Sequence, residues 1–289
     1  MEKKSCVDLH MHSSCSDGSD SVPELLDHLR QTGIRLFSLT DHDTIGGVRE
    51  MQRLVPEDMT FIPGIEFSCI AGRSKCHILG YGYDPENALF LETVREALAL
   101  RYDKLTSRLE YLRETFQIRF NERELDWLRR QASPGRPHLA ELLIGRGMVA
   151  DITEAFATYL SKMPSPRIDA GDAIRAILAA GGVPVWAHPF GESLQEWISE
   201  EEMRARLEVL TGLGIKGMEC WYSQYSEDMI QTLLRAAREH QLLVSGGSDY
   251  HGTRKKISLA TLGKGVSPKD PMTELTVLRR LCADEAGTA

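Results

Sequence analysis

Six short stretches of this 289-residue sequence carry imidazoles and carboxylates of the kind that hold divalent metal ions. VDLHMHSSCSDG supplies His10, His12 and Asp17, and LTDHDT places His42 between Asp41 and Asp43. PGIEFS carries Glu66, an apolar run holds His77, WAHP contains His188, and GSDYH brings Asp249 and His251. In an extended chain residues i and i+2 share a face, so His10 and His12 project side by side while Leu9 and Met11 face a core. Imidazole with carboxylate suits Zn, Mn or Fe. Nine ligands exceed what one ion uses, because a catalytic zinc takes about three protein ligands. Two or three divalent metal ions (Mn, Zn or Fe) are therefore expected. Taken singly, each residue has an ordinary structural alternative. Asp41 or Asp43 could cap a helix near Thr44, Glu66 could be an ion-pair partner, and His77 could donate to a carbonyl. Jointly those alternatives must explain six strand ends independently.

The elements that would bring these groups together are legible as short apolar runs alternating with helical segments, the rhythm of βα units around a parallel sheet or barrel. Strands are expected at 6–10, 35–39, 60–66, 75–80, 183–187, 217–220 and 242–246. The helix after the first strand is marked by Ser21 as N-cap, Pro23 in the first turn, Glu24 at the capping-box position and Gly33 at the stop. Active sites of such barrels form at the C-terminal strand ends, where ligands distant in sequence meet. From Pro85 to Pro166 strand-like runs give way to charged amphipathic helices, which predicts a helical insertion, residues 85–166, between two barrel portions at 1–84 and 167–289. Its charges read as a solvated helix face, and its aromatics Tyr102, Tyr111, Phe116 and Trp127 as core. One stretch, RRQASPGRPH at 129–138, carries three Arg and a His with no acid.

Composition narrows the rest. With 42% hydrophobic and 26% charged residues the chain suits a globular protein with a barrel-sized core. No apolar run approaches the 18 or so residues of a membrane span, and the start lacks an apolar signal region, so a cytoplasmic protein is expected. The six cysteines form no CxxC pair and are expected as reduced thiols. A net charge of −8 argues against a broad basic surface for duplex nucleic acid.

Taken together, DLHMHSSCSDG, LTDHDT, PGIEFS, the strand His77, WAHP and GSDYH resemble the polymerase and histidinol phosphatase (PHP) phosphoesterases. The resemblance implies an α/β fold, a distorted (β/α)7 TIM-like barrel. It also implies a sharing of ligands in which His10, His12, Glu66 and Asp249 hold one ion, Glu66, His77 and His188 a second, and Asp17, His42 and His251 a third. Some relatives have His where this chain has Asp17. Within the family the chain looks most like stand-alone nucleotide phosphatases whose helical insertion, a substrate cap, carries a GRPH-like motif, here Gly135-Arg136-Pro137-His138. Arg136 and His138 would then clamp the substrate phosphate; the structural alternative is a helix start with Pro137 in its first turn.

The implied reaction is removal of the 3′-phosphate from nucleoside 3′,5′-bisphosphates by a hydroxide bridging the ions. Three ions would bring six positive charges against three carboxylates, Asp17, Glu66 and Asp249, which favours binding of phosphate. Asp41 and Asp43 are the candidate catalytic carboxylates, either orienting a ligand from behind or protonating the leaving oxygen, with orientation favoured for Asp41. The expected partner is a small phosphorylated nucleotide or a short oligonucleotide end, with phosphate as product. Competing readings are a 5′–3′ exonuclease on short RNA, a histidinol phosphate phosphatase, and a non-catalytic metal-binding PHP module. The last is disfavoured because none of the nine ligand positions has lost its ligand type.

Overall fold

The computed structural model describes residues 6–163, 165–192 and 197–282. Seven strands form one ring: β1 (Val7–Asp8), β2 (Leu36–Leu39), β3 (Thr60–Ala71), β4 (Ser74–Tyr81), then, past the two-residue β5 (Ile168–Asp169), β6 (Val183–Trp186), β7 (Gly217–Tyr222) and β8 (Leu243–Gly247). The ring order is β1-β2-β3-β4-β6-β7-β8, and β5 pairs only with the far end of β3. The two ends meet where the Leu9 amide donates to the Gly246 carbonyl at 3.3 Å and Met11 bridges Tyr250. The result is a nearly closed, distorted barrel of mixed α/β type, as the alternating pattern predicts.

Two differences from that pattern matter for the site. β1 leaves its ladder after Asp8, so His10 and His12 stand on the chain beyond the strand rather than at its end. Asp8 is buried there, its carboxylate accepting from the Ser248 and Ala260 amides, both at 2.9 Å. The second difference is that β4 runs antiparallel to both neighbours. Only Gly72 and Arg73 separate it from β3, too few residues for a crossover, and Gly72 takes the turn at φ +60°. Because β4 runs backwards, His77 near its start lies opposite Ser68, at the end of the barrel where the parallel strands finish.

Around the ring, α1 (Val22–Thr32) has both halves of the capping box between Ser21 and Glu24 and a left-handed Gly33 at φ +79°. α2 (Gly46–Leu54) begins at Ile45 with no side-chain cap, so neither Asp41 nor Asp43 caps it. α7 (Ala170–Ala179), α8 (Glu200–Gly212) and α9 (Glu227–Glu239) follow in the second half, with short α10 (Pro271–Glu274) and α11 (Val277–Leu281) at the end. Between β4 and β5 come α3 (Ala88–Phe116), α4 (Glu122–Arg129), α5 (Arg136–Gly145), α6 (Ile152–Ala155) and a π-helical turn (Phe156–Leu160).

The 29-residue α3 joins two apolar cores. Phe90, Val94 and Ala97 belong to the barrel core, whereas Leu105 and Leu112 pack with Leu128, Leu139 and Phe156 in a separate helical core. Where one core gives way to the other, at the same helical spacing, Arg101, Lys104 and, one turn on, Arg108 are only 6%, 4% and 6% exposed. The expectation of a solvated charged face is therefore corrected for these three: they occupy the buried stripe where α3 passes the barrel mouth. Of the four aromatics read as core, Tyr111, Phe116 and Trp127 pack on the helical core, but Tyr102 is exposed. All six cysteines are free. No helix among the described residues is long and apolar enough to cross a membrane.

Ring closure depends on a close approach at Gly247, where an added Cβ would sit 2.3 Å from the His10 Cβ and 2.4 Å from its amide nitrogen. Gly247→Ala is expected to destabilise the protein by about 1–3 kcal/mol through overpacking, read as a lowered thermal midpoint. A variant that melts with the wild type would show that β8 does not set the position of His10.

Candidate metal centre

Glu66 sits at the middle of β3, bridged in parallel to His42, and its two oxygens face five imidazoles from four parts of the chain. Oε2 lies 3.3 Å from His10 Nε2, 3.2 Å from His12 Nε2 and 3.1 Å from His42 Nδ1. Oε1 lies 2.8 Å from His77 Nδ1 and 3.1 Å from His188 Nε2. Asp249 Oδ1 closes the same space, 3.6, 3.3 and 3.3 Å from His10 Nε2, His12 Nε2 and His251 Nδ1. Asp17 stands on the outer side, 3.5 Å from His251 Nε2 and 3.9 Å from both His42 Nε2 and His12 Nδ1. All nine predicted ligands are thus brought together and buried.

Their electrostatics favour cations. Burial alone would raise the Glu66 carboxyl, yet His42, His77 and His10 hold it well below the usual range. Asp249 is likewise held down against burial by Lys255, His251 and His10. His10 Nε2, His12 Nε2, His42 Nδ1 and Asp17 Oδ1 are buried without a hydrogen-bond partner. Each such atom costs about 1–3 kcal/mol unless something fills its valence. Divalent ions would do so, and eight of the nine predicted residues, all but Asp249, fall together with Glu192, which sequence reasoning missed, into four overlapping groups whose ligand atoms lie within 4.8 Å of one another. These are His12, Asp17, His42 and His251; His10, His12 and Glu66; His42, Glu66 and His77; and His77, His188 and Glu192.

Several supports of this cluster escape sequence reasoning. Glu219 of β7 is wholly buried; its Oε1 accepts from His10 Nδ1 at 2.9 Å and its Oε2 from the His188 amide at 2.7 Å. The signal was there, a lone acid inside the apolar run GMECWY. Lys255 Nζ donates to Asp249 Oδ2 at 2.6 Å and to Glu192 at 2.8 Å, and the Tyr222 hydroxyl adds a bond to the same Asp249 oxygen at 2.9 Å. Asp43, His188 and Asp249 all have positive φ, 55°, 30° and 58°. Such strain persists where surrounding contacts enforce it, as in a ligand cluster.

Asp41 and Asp43 lie behind the ligands. Asp41 accepts from the Ser13 amide at 2.8 Å, the Ser13 hydroxyl at 2.7 Å and the Ser16 hydroxyl at 2.6 Å, which fixes the loop leading to Asp17. Asp43 accepts from the Ser68 amide at 2.7 Å and from Arg101 Nε at 2.6 Å. Burial opposes its ionisation, but Arg101 and then Lys104 hold it at about 2. Across a narrow cavity from Asp17, His42, His77 and His251 stand six cations, Arg101, Lys104, Arg108, Arg136, Arg167 and Lys255. Burial, reinforced by Arg101, Arg167 and Arg108 and opposed by Asp43, brings Lys104 down to about 7.

The basic stretch before α5 splits in two. Arg129 is exposed and paired with Asp126 and Glu122, whereas Arg136 faces the cavity with its guanidinium 4.8 Å from the Phe156 ring centre. His138 turns away, its Nδ1 accepting from the Gly135 amide at 3.0 Å and its Nε2 lying 3.4 Å from Arg254. Burial, then Arg254, push its pKa down to about 4, so the ring is neutral and can accept at Nδ1. In this arrangement His138 shapes the turn that presents Arg136.

Comparison with known proteins agrees with this geometry. A family model described as the PHP domain matches residues 8–159. A 3′,5′-nucleoside bisphosphate phosphatase of Chromobacterium violaceum is 30% identical, covering 85% of this chain and 87% of its own. A 5′–3′ exoribonuclease of Haemophilus influenzae is also 30% identical, over 87% and 91%. Among solved structures, an amidohydrolase from Chromobacterium violaceum, with bound sulfate and no metal, superposes with a TM-score of 0.83 at 26% identity, covering 96% of each chain.

Glu219→Gln would turn an amide donor toward His10 Nδ1 and is expected to weaken metal affinity tenfold to a hundredfold, about what loss of an outer carboxylate costs elsewhere. Competition with a chelator measures this, and unchanged affinity would sink the assignment. For His138 the folded pKa lies below the unfolded one, so its stabilising contribution is complete above about pH 6.5 and is lost as pH falls toward about 4. Denaturant unfolding of the metal-free protein should accordingly weaken by ~2–3 kcal/mol more than that of His138→Asn across that interval.

Proposed function

The chain belongs to the PHP family of metal-dependent phosphoesterases, and we propose that it removes the 3′-phosphate from nucleoside 3′,5′-bisphosphates. The observation that carries this reading is the charge of the cavity facing the ligand cluster. Among the described residues, five cations and Lys104, about half protonated at neutral pH, line it against two carboxylates, Asp17 and Glu192. Arg136 and Lys104 form no ion pair among the described residues. A phosphate monoester brings only about −1.5 to −2 at neutral pH. Positive charge beyond that suits a substrate with a second anionic group.

The nine ligands would hold two or three divalent ions, Mn, Zn or Fe, which supply a water deprotonated near neutral pH and offset charge on the phosphoryl oxygens. The protein's own groups do the rest. Arg136 offers a planar fork of N–H donors that matches a phosphate bidentately. Arg101, tied by Nε to Asp43 and by a second nitrogen to Ser68 Oγ at 3.3 Å, is fixed in place and presents its remaining N–H groups to the cavity. In this reading Asp43, ionised at neutral pH, is a positioning residue for Arg101, and Asp41 does the same for the Asp17 loop. His138 serves Arg136 through Gly135. Neither Asp is assigned as proton donor to the leaving oxygen.

A phosphate-release screen tests the proposal. Adenosine 3′,5′-bisphosphate should give the highest kcat/KM against histidinol phosphate and a short 5′-phosphorylated RNA. Glu66→Gln should abolish turnover, while Arg136→Ala should raise KM about tenfold with kcat largely kept, the mark of lost substrate binding. A preference for RNA or for histidinol phosphate would overturn the mononucleotide assignment.

A further inference from the structure

A second, larger cavity opens beside the metal centre, sharing His77, Arg136 and Arg167 with it and running between the β3–β4 hairpin and α8. Its walls carry four cations that the reaction above leaves unused: Arg73, Lys75, Lys162 and Arg206. Lys75 precedes His77 by two residues on β4, so both share one face of the strand, about 7 Å apart along it. Arg206 is held against that strand. Its guanidinium donates to the Lys75 carbonyl at 3.3 Å and to Glu202 at 2.5 Å, yet its Nε is buried without a hydrogen-bond partner. Arg167 repeats the pattern, donating to the Cys76 carbonyl at 3.3 Å with its own Nε buried and unpartnered. The side chains of Arg73, Lys75 and Lys162 form no hydrogen bond or ion pair among the described residues, and among those residues Glu202 is the one acid on these walls. Like charges gathered in a cleft raise the local concentration of anions. Two buried guanidinium N–H groups lacking acceptors call for an oxygen-rich ligand.

We propose that this groove is a second anion subsite, which takes the phosphate lying one nucleoside away from the phosphate hydrolysed at the metal centre. The proposal rests on the nucleotide reading of the metal site. The groove is continuous with the metal centre through His77, Arg136 and Arg167, so a nucleotide can reach from one into the other. Trp197, exposed on the same wall, offers a ring face on which a base can stack. The second phosphate can be a terminal monoester or a diester that continues to further nucleotides. Both present the same anionic oxygens to Lys75, Arg167 and Arg206.

The test is the KM of Lys75→Glu for adenosine 3′,5′-bisphosphate and for adenosine 3′-phosphate, which lacks the second anion. The bisphosphate KM should rise about tenfold while that of the 3′-phosphate stays within about twofold. Equal changes for both substrates, or none, would overturn the subsite. Lys75→Gln should give an intermediate rise and serves if the charge reversal impairs folding. Repeating the comparison with a short RNA separates the two sources: loss with both substrates supports a diester track, loss with the mononucleotide alone a monoester pocket, and loss with neither rejects the groove. Calorimetric binding of adenosine 5′-phosphate needs no turnover, so it separates the two ideas. If no nucleotide is hydrolysed but Lys75→Glu still weakens that binding, the activity assignment falls and the subsite stands; undiminished binding removes the subsite.

Discussion

The carboxylate of Glu66, with five imidazole nitrogens between 2.8 and 3.3 Å from its two oxygens, is the contact on which the rest of the molecule is built. A buried carboxylate is costly unless charge and hydrogen bonds compensate it, and here the compensation comes from loops after β1 and β2, from β4 and from the loop after β6. Each ring can meet Glu66 only if the barrel closes, which is why glycine at 247 lets β8 run against His10 and why β4 reverses direction to bring His77 to the same end. The imidazole nitrogens left without partners show that carboxylates alone do not complete the cluster. Cations would, and their binding would then be tied to the stability of the closed barrel.

Behind the ligands lies a layer that fixes them. Glu219 orients His10 and pins the His188 backbone, Lys255 and Tyr222 hold Asp249, and Asp41 ties down the Ser13–Ser16 loop. Outer contacts of this kind set ring orientation and ligand basicity, so they contribute to metal affinity without touching the ion. Asp43 extends the layer outward, since its ion pair with Arg101 links the His42 turn to α3.

α3 is the element that connects metal chemistry to substrate charge. Its first turns pack in the barrel core and its later turns in the helical core, so the segment between them is held rigidly over the mouth. Arg101 and Lys104 occupy that segment and, with Arg108 one turn further on, face the ligand cluster beside Arg136 and Arg167. Buried cations with few acids nearby are unfavourable in isolation, and a bound phosphate relieves them. In the proposed reaction, the stability that this arrangement forgoes in the free protein would reappear as selectivity for multiply charged substrates.

Much of this was legible in the chain itself. Alternating apolar runs located the ring strands, the Ser21–Glu24 box and Gly33 located α1, and ligand types at the strand ends marked nine members of the cluster though not Glu192, because local periodicity and residue chemistry depend on near neighbours. Other features depended on residues far apart. The direction of β4, the burial of three cations on an ordinary-looking amphipathic helix, the partnership of Glu219 with His10 and the turning of His138 toward Gly135 are settled by what lies across the fold. The sequence determined which imidazoles and carboxylates were available for a metal-binding cluster. Only the tertiary structure decided which charged groups would line the cavity beside it, because a side chain's charge is written in its type but its solvation is set by packing.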